Sequence, residues 1–417
     1  MVKMIILPDL HWGAISPERM KEELDKTLFS FLKCNRVDVV MIAGDLFDSK
    51  QYFTSDVVRY VINFLCQLAH YANSIVCIQG TKTHDDLQLE TLKTIFTNIK
   101  FVDTGDFWMG RFHFITKPTI LRIRSDDGFV EYYKPDEYNY EMSKENEDEN
   151  EEWMSALCIP EEYVIDQDVY YKPYLENKYY DMILFHGMID KIWYAKINKS
   201  SQTELTKYSS APVFKVDDLL EHCNRCYAGH IHVHKHYGQD GRFLYVGPFT
   251  RWEFGKEEDV GCEYVEFEHQ RFTDKFLVNH NAQILTTKVL NITESIPLKE
   301  LNDELDTIIE TEMSKSDKLR FIINIKSNIQ NYLEIKDFII SKLGDMKFVK
   351  LVLSVDTNDD YMDAAKETMD SSSKSTAQKN YLFESMDLEE RIRLFLKQKK
   401  GLDISVEDIK SVLRLED

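Results

Sequence analysis

An α/β protein with a parallel sheet is what the sequence predicts, on three observations. Apolar strand runs and amphipathic helices alternate over about the first ninety residues, and those runs lead into Asp or His. A second, smaller strand–helix alternation follows residue 279. A hydrophobic fraction of 43% over 417 residues is enough for two or three domains with real cores.

The elements follow in order. Lys3–Leu7 reads as a buried strand, and Arg19–Cys34 carries Met20, Leu24, Leu28 and Leu32 at helical spacing. Val37–Ala43 is a second strand, Ser55–Tyr71 a second helix and Ser74–Ile78 a third strand. Much later, YYDMILFH at Tyr179–His186 repeats the pattern of an apolar run closed by a histidine. Between Arg124 and Tyr180 the order weakens, so about 125–180 is taken as an acidic insertion. Its run EMSKENEDENEE at 141–152 reads as a solvated loop. Tyr132, Tyr133, Tyr138 and Tyr140 around it either pack on the main domain or stack on bases.

Past residue 279 come strand Ile284–Leu290, helix Leu298–Met313, strand Leu319–Ile325, helix Tyr332–Leu343 and strand Phe348–Val355. A serine-rich polar linker covers 356–385, and two short amphipathic helices are expected within 386–417.

The formal net charge of −21 argues against nucleic-acid binding by bulk attraction, which needs a basic surface. A local basic groove or bound cations stay open. Seven cysteines do not make a disulfide framework, and Cys223 and Cys226 have no second CxxC to complete a zinc site. The N-terminal apolar run is short and lacks a small-residue cleavage site, and no stretch approaches the ~20 apolar residues that span a bilayer. The expectation is a soluble cytoplasmic protein with no membrane partner.

In parallel sheets chemistry collects at the carboxyl ends of the strands. Here those ends run into PDLHWG, GDLFD, QGTKTHDD, FHG and GHIH, which bring Asp9, His11, Asp45, His84, Asp85, His186, His230 and His232 to one edge. Carboxylate and imidazole without thiolate suit Mn²⁺, Fe²⁺ or Zn²⁺. Two cations roughly 3.5–4 Å apart need a bridging ligand, and Asp45 in its tight GD turn is the candidate. In YAGHIHVHKH, four histidines alternate: His230, His232, His234 and His236 share a face if the stretch is extended.

DLH, GDLFD, a G…HD loop, HG and GHIH, in that order, resemble the five-part signature of the calcineurin-like metallophosphoesterases over roughly residues 1–255. The resemblance implies a metallophosphoesterase sandwich with helices outside, plus a small α/β capping domain and C-terminal helices. The nuclease domain would cover 1–278, the cap 279–355, the linker 356–385 and a partner-binding segment 386–417. Two divalent ions are implied, Mn²⁺ first and Mg²⁺ as the alternative. Asp9 and His11 would bind the first, Asp45 would bridge, His186 and His230 would bind the second, and His232 would return to the first. His84 would contact the phosphate and protonate the leaving oxygen. The family pattern GNHD is altered here to GTKTHD at Gly80–Asp85, two residues longer and without asparagine. Alignment on HD puts Thr83 at the ligand position. Asp85 and Asp48 stand behind the ligands, Asp48 either orienting a histidine or capping the next helix. His234 and His236, beyond the motif, read as solvent-facing strand residues.

Within that superfamily, three features resemble the SbcD-type nucleases of double-strand-break repair: the DLHWG opening, the segment FLYVGPFTRWEFG at Phe243–Gly255, and the later architecture of cap, linker and helices. The implied activity is that of a two-metal DNA exonuclease and endonuclease subunit. Its partners would be an SbcC-type coiled-coil ATPase and double-stranded DNA ends, with a homodimer inside a heterotetramer. The lengthened loop and the weak overall match to cellular members suggest a divergent relative that resembles the recombination endonuclease subunits of large tailed bacteriophages, which would act in the host cytoplasm. The last helices would dock on the coiled coil or fold back on the domain. Arg251 and Lys256, with Lys191 and Lys196, are candidate phosphate contacts. The alternatives are a metal-dependent phosphatase or phosphodiesterase for small phosphoesters, and a non-catalytic assembly subunit.

Overall fold

A computed structural model describes residues 1–85, 88–98, 111–125, 127–140, 152–162, 164, 166–190, 213–255, 258–326, 328–344, 346 and 349–356. The acidic run at 141–151, Lys191, Lys196 and Lys256, and the expected helical segment at 386–417 lie outside the described residues.

The chain is α/β, as the alternation of its patterns predicts. Strands β1 (Val2–Leu7), β2 (Val37–Ile42), β3 (Ala72–Ile78) and β4 (Phe112–Ile115) are parallel neighbours. A second group holds β5 (Thr119–Arg124), β6 (Val130–Tyr133), β7 (Trp153–Ile159), β8 (Tyr180–His186) and the short ribbon of β9 (Met188–Ile189) and β10 (Val213–Phe214). It continues with β11 (Cys223–Gly229), β12 (Lys235–Tyr237) and β13 (Phe243–Tyr245), and then β14 (Gly261–Glu268) and β15 (Arg271–Val278) return. Two large sheets result, in the orders β15-β14-β1-β2-β3-β4 and β12-β13-β11-β8-β7-β5-β6. In the second, β7, β8, β11 and β13 are parallel.

Alternation along each strand explains why the apolar runs are nearly unbroken: both faces are buried. Val2, Met4 and Ile6 of β1 face one apolar cluster together with Leu121, Met154, Ala156, Met182, Leu184 and Leu244 of the other sheet. Ile5 and Leu7 face a different cluster, formed with the helices Pro17–Leu24 and Asp56–Leu68. The second sheet's outer face is covered by the helices Gln167–Leu175 and Val216–Leu220. Two sheets therefore share an inner core, with helices on the outside.

Helix starts are set locally. Ser16 and Ser55 accept N–H groups of Arg19 and Val58, and Pro17 follows its cap directly. The expected helix from Arg19 to Cys34 is interrupted by a π-turn at Asp25–Phe29. Met20, Leu24, Leu28 and Leu32 repeat every four residues, which drifts by roughly 40° per step on an ideal helix. The wider turn pulls the repeat back, and all four side chains are buried.

The reading of about 125–180 as an insertion is overturned. Trp153–Ile159 is a fully buried strand between β5 and β8, and Gln167–Leu175 is a helix. The run WMSALCI has the composition of a central strand, and the acids preceding it masked that signal. Three of the four tyrosines pack on the second sheet's core: Tyr133 and Tyr140 are partly buried against it, and Tyr138 stacks on Tyr180 at 5.1 Å. The Tyr140 hydroxyl donates to Asp181, whereas Tyr132 is 53% exposed.

The chain divides into two compact units, Met1–Thr286 with Met313–Lys318, and Thr287–Glu312 with the described residues from Leu319 to Asp356. The smaller sheet has the order β16 (Leu285–Ile292), β17 (Lys318–Lys326), β18 (Val349–Asp356), with β17 and β18 parallel. Leu319, Phe321, Ile323 and Ile325 bury one face of β17 at period two. The helices Leu298–Met313 and Tyr332–Leu343 match the expected boundaries. Among the described residues no helix is long and apolar enough to cross a membrane.

Leu184 lies in the inner core at 0% exposure. Leu184→Ala is expected to destabilise the protein by about 2–5 kcal/mol in urea titration, through lost apolar contact plus a cavity.

Candidate metal centre

The parallel pairing of β1 with β2 continues past both strands. His11 donates its N–H to the Asp45 carbonyl at 2.9 Å, and Trp12 to that of Leu46 at 2.9 Å. This zipper places the DLH and GDLFD loops side by side. Seven non-glycine residues have positive φ among the described residues, and three of them are His11 (46°), Asp45 (43°) and His230 (86°). Backbone held in that region is strained and persists where the surroundings enforce it, most often at functional sites. Gly44 has φ +91°, and a Cβ there would come within 2.2 Å of His186 Nδ1. At Gly229 a Cβ would meet Asp9 Oδ1 at 2.5 Å. Glycine is required at both because imidazole and carboxylate press against bare backbone.

Two trios of donor atoms gather among the described residues. His11, Asp45 and His84 form one and Asp45, His186 and His230 the other, each within 4.8 Å. Asp45 Oδ2 stands 3.7 Å from His11 Nε2 and 3.4 Å from His186 Nε2. His11 Nε2 and His232 Nε2 face each other at 3.1 Å. Donors bound at ~2.1 Å to one cation lie about 3–4 Å from each other, so these separations fit divalent ions. The rest of the donor chemistry fits as well: oxygen and imidazole nitrogen, with no thiolate. Asp9 belongs to neither trio; both its carboxylate oxygens accept the His230 N–H at 3.0 Å, and it lies 3.5 Å from His186 Nδ1.

Partners behind the rings set their orientation. His186 Nδ1 donates to the Ala43 carbonyl at 2.7 Å, which leaves Nε2 for the centre. His84 Nδ1 is held by the Asp48 carbonyl. Asp85, fully buried, accepts the N–H groups of Gly80 at 2.8 Å and Phe47 at 3.1 Å, and so ties the third loop to the second. Trp252 lies 4.7 Å from the His11 ring and 5.0 Å from that of His232, screening both.

Charge within the seam is uneven. Burial pulls the His11 ring down to about 3 against the opposing charge of Asp45, with His232 and His84 adding to the fall. His11 is thus a neutral imidazole with a lone pair to give. Burial also disfavours a charged His186, but Asp45, Asp9 and Glu161 outweigh it and hold that ring at about 10. The carboxylates demand positive charge beside His186 Nε2, which a proton or a cation supplies. Burial, with the charge of Asp45, lifts Asp85 to about 7 despite its two amide donors.

Several sequence expectations change. Thr83, the expected stand-in for asparagine, is exposed. The turn Lys82–Asp85 absorbs the two extra residues, so counting back one residue from His84 stops short. Thr81 is the threonine that meets the cluster: its N–H donates to Asp45 Oδ1 at 2.6 Å, and its hydroxyl lies 3.5 Å from both His186 Nε2 and His230 Nδ1. Glu161 was missed altogether. Its Oε2 stands 3.2 Å from His230 Nδ1 and 3.7 Å from His186 Nε2. A parallel strand running into a carboxylate, WMSALCIPE, was the signal available.

Asp48 Oδ1 is 3.7 Å from His11 Nδ1, beyond hydrogen-bond range, and Ser55 rather than Asp48 caps the following helix. The four alternating histidines do not share a face, because β11 ends at Gly229 and His230 turns away with its positive φ. His234 is half-buried and stacked on Phe276 at 3.9 Å, instead of facing solvent, whereas His236 is exposed on β12. Arg251 is half-buried near His232 and Trp252 and donates to the Glu258 carbonyl at 3.1 Å.

No protein-family model matches the chain, and a search of curated proteins finds no match either.

Gly44→Ala is expected to displace His186 or Asp45 while the sheets persist. Circular dichroism should stay native, and Mn²⁺ should no longer raise the melting temperature. An unchanged metal-dependent shift would show that the close approach at Gly44 is not needed.

Proposed function

We propose that this chain is the nuclease subunit of an SbcCD-type recombination and repair complex, hydrolysing DNA phosphodiester bonds with two divalent cations, Mn²⁺ first. The observation that carries this reading is Asp45 Oδ2, one carboxylate oxygen placed between His11 Nε2 and His186 Nε2. An oxygen shared by two imidazole-bearing trios is what a pair of cations needs as a bridge. When bound, such a pair polarises a phosphoryl oxygen, acidifies a water for in-line attack and neutralises the leaving oxygen.

His11, His232 and His84 would hold or border the first cation, and His186 and His230 the second, with Asp45 between them. Asp9 fixes the loop after β11 through the His230 amide and adds negative charge. His84, held through Nδ1, would point Nε2 at the phosphate and, with both ring nitrogens protonated, give its Nε2 proton to the leaving oxygen. The metallophosphoesterase sandwich, in which two sheets carry such loops to a common edge, is the architecture this reading assigns to the larger unit.

The net charge of −21 makes DNA contact local, with cations and Arg251 near the cleft and Lys256 as the further proposed contact. In this proposal the partner is an SbcC-type coiled-coil ATPase bound at duplex ends. The chain would work as a homodimer within a heterotetramer in the cytoplasm, of the host cell for a bacteriophage protein.

Manganese-dependent release of nucleotides from duplex ends tests the activity. Turnover of an aryl phosphodiester without any action on DNA would favour the small-phosphoester alternative. His84→Ala is expected to lower cleavage by about 10²–10⁴-fold with metal content unchanged; loss of metal by elemental analysis would make His84 a ligand instead. Deleting the residues after Asp387 should leave metal binding intact and abolish co-purification with the ATPase. Persistent co-purification would contradict docking through that segment.

A further inference from the structure

Glu161 follows β7 and is pinned by its own backbone, whose N–H donates to the Gln79 carbonyl at the end of β3 at 3.1 Å. Its side chain is completely buried. Oε2 accepts the Thr81 hydroxyl at 3.1 Å and stands 3.2 Å from His230 Nδ1 and 3.7 Å from His186 Nε2. Oε1 has no hydrogen-bond partner. A carboxylate kept only for structure would have both oxygens satisfied, because burying a charged oxygen without a partner is costly. Nothing in the loop Gly80–Asp85 offers a side-chain amide to the same place, and the Thr81 hydroxyl is already engaged with Glu161 and with Asp45 Oδ2 at 3.3 Å.

We propose that Glu161 is itself a ligand of the second divalent cation, completing a set of Asp45, His186 and His230 with a second carboxylate. The inference rests on the two-cation reading. It makes the second position more anionic than the first trio, since Asp45 and Glu161 both face it while His11, His84 and His232 surround the first. Divalent ions that accept mixed carboxylate and imidazole donors, Mn²⁺ among them, are the class it takes. The added charge strengthens binding there relative to a neutral oxygen donor.

The test is calorimetric titration of Mn²⁺ into the full-length, chelator-stripped protein, with electron paramagnetic resonance to detect spin coupling between neighbouring ions. The wild type should take up two coupled Mn²⁺ ions. Glu161→Gln should keep the first ion and bind the second at least about tenfold more weakly, and Glu161→Ala should bind one uncoupled ion. Should the Ala variant fail to fold by circular dichroism, the near-isosteric Gln variant decides alone. Two ions bound by Glu161→Gln at wild-type affinity would overturn the proposal while leaving the two-cation reading standing. A wild type binding one ion or none would instead remove that reading.

Discussion

Four carboxylates, those of Asp9, Asp45, Asp85 and Glu161, lie at 3% exposure or less around one seam. Taking even one such ion out of water costs several kcal/mol unless it is paired or hydrogen-bonded. Most of what is unusual in the larger unit answers that constraint. Asp85 accepts two backbone amides, and Asp9 accepts the amide of a strained His230. Asp45 and Glu161 are left facing imidazoles, and His186 is driven toward its charged form by them. A cation pair relieves the same excess of negative charge more completely than a proton does.

The architecture makes such crowding geometrically feasible. Parallel strands from two sheets end at one edge, and the glycines before Asp45 and His230 let side chains from one loop touch the backbone of another. The inner core shared by the sheets fixes the strands and hence the spacing of the donors. The smaller unit carries none of these donors.

Much of this was legible in the residues. Both-face burial makes strands read as continuous apolar runs, so β1, β2, β3 and β8 stood out, and regular periodicity defined the helices Leu298–Met313 and Tyr332–Leu343 to the residue. The DLH, GD, HG and GHIH loops pointed to Asp9, His11, Asp45, His186, His230 and His232, which the fold brings together. What was illegible depended on three-dimensional convergence. β7 was hidden by the acids before it, so Glu161 at its end was never considered. Thr81 displaced Thr83 because a helical turn, invisible to alignment on HD, took up the extra length. The bend at His230 broke a period-two pattern that the chain after Gly229 otherwise invites.

The central claim is that Asp45 bridges two cations at the junction of strand ends from both sheets. Anomalous diffraction from crystals soaked in Mn²⁺ tests it most directly. The account predicts two anomalous peaks roughly 3.5–4 Å apart, with Asp45 Oδ2 between them. A single peak, or peaks away from Asp45, would contradict it.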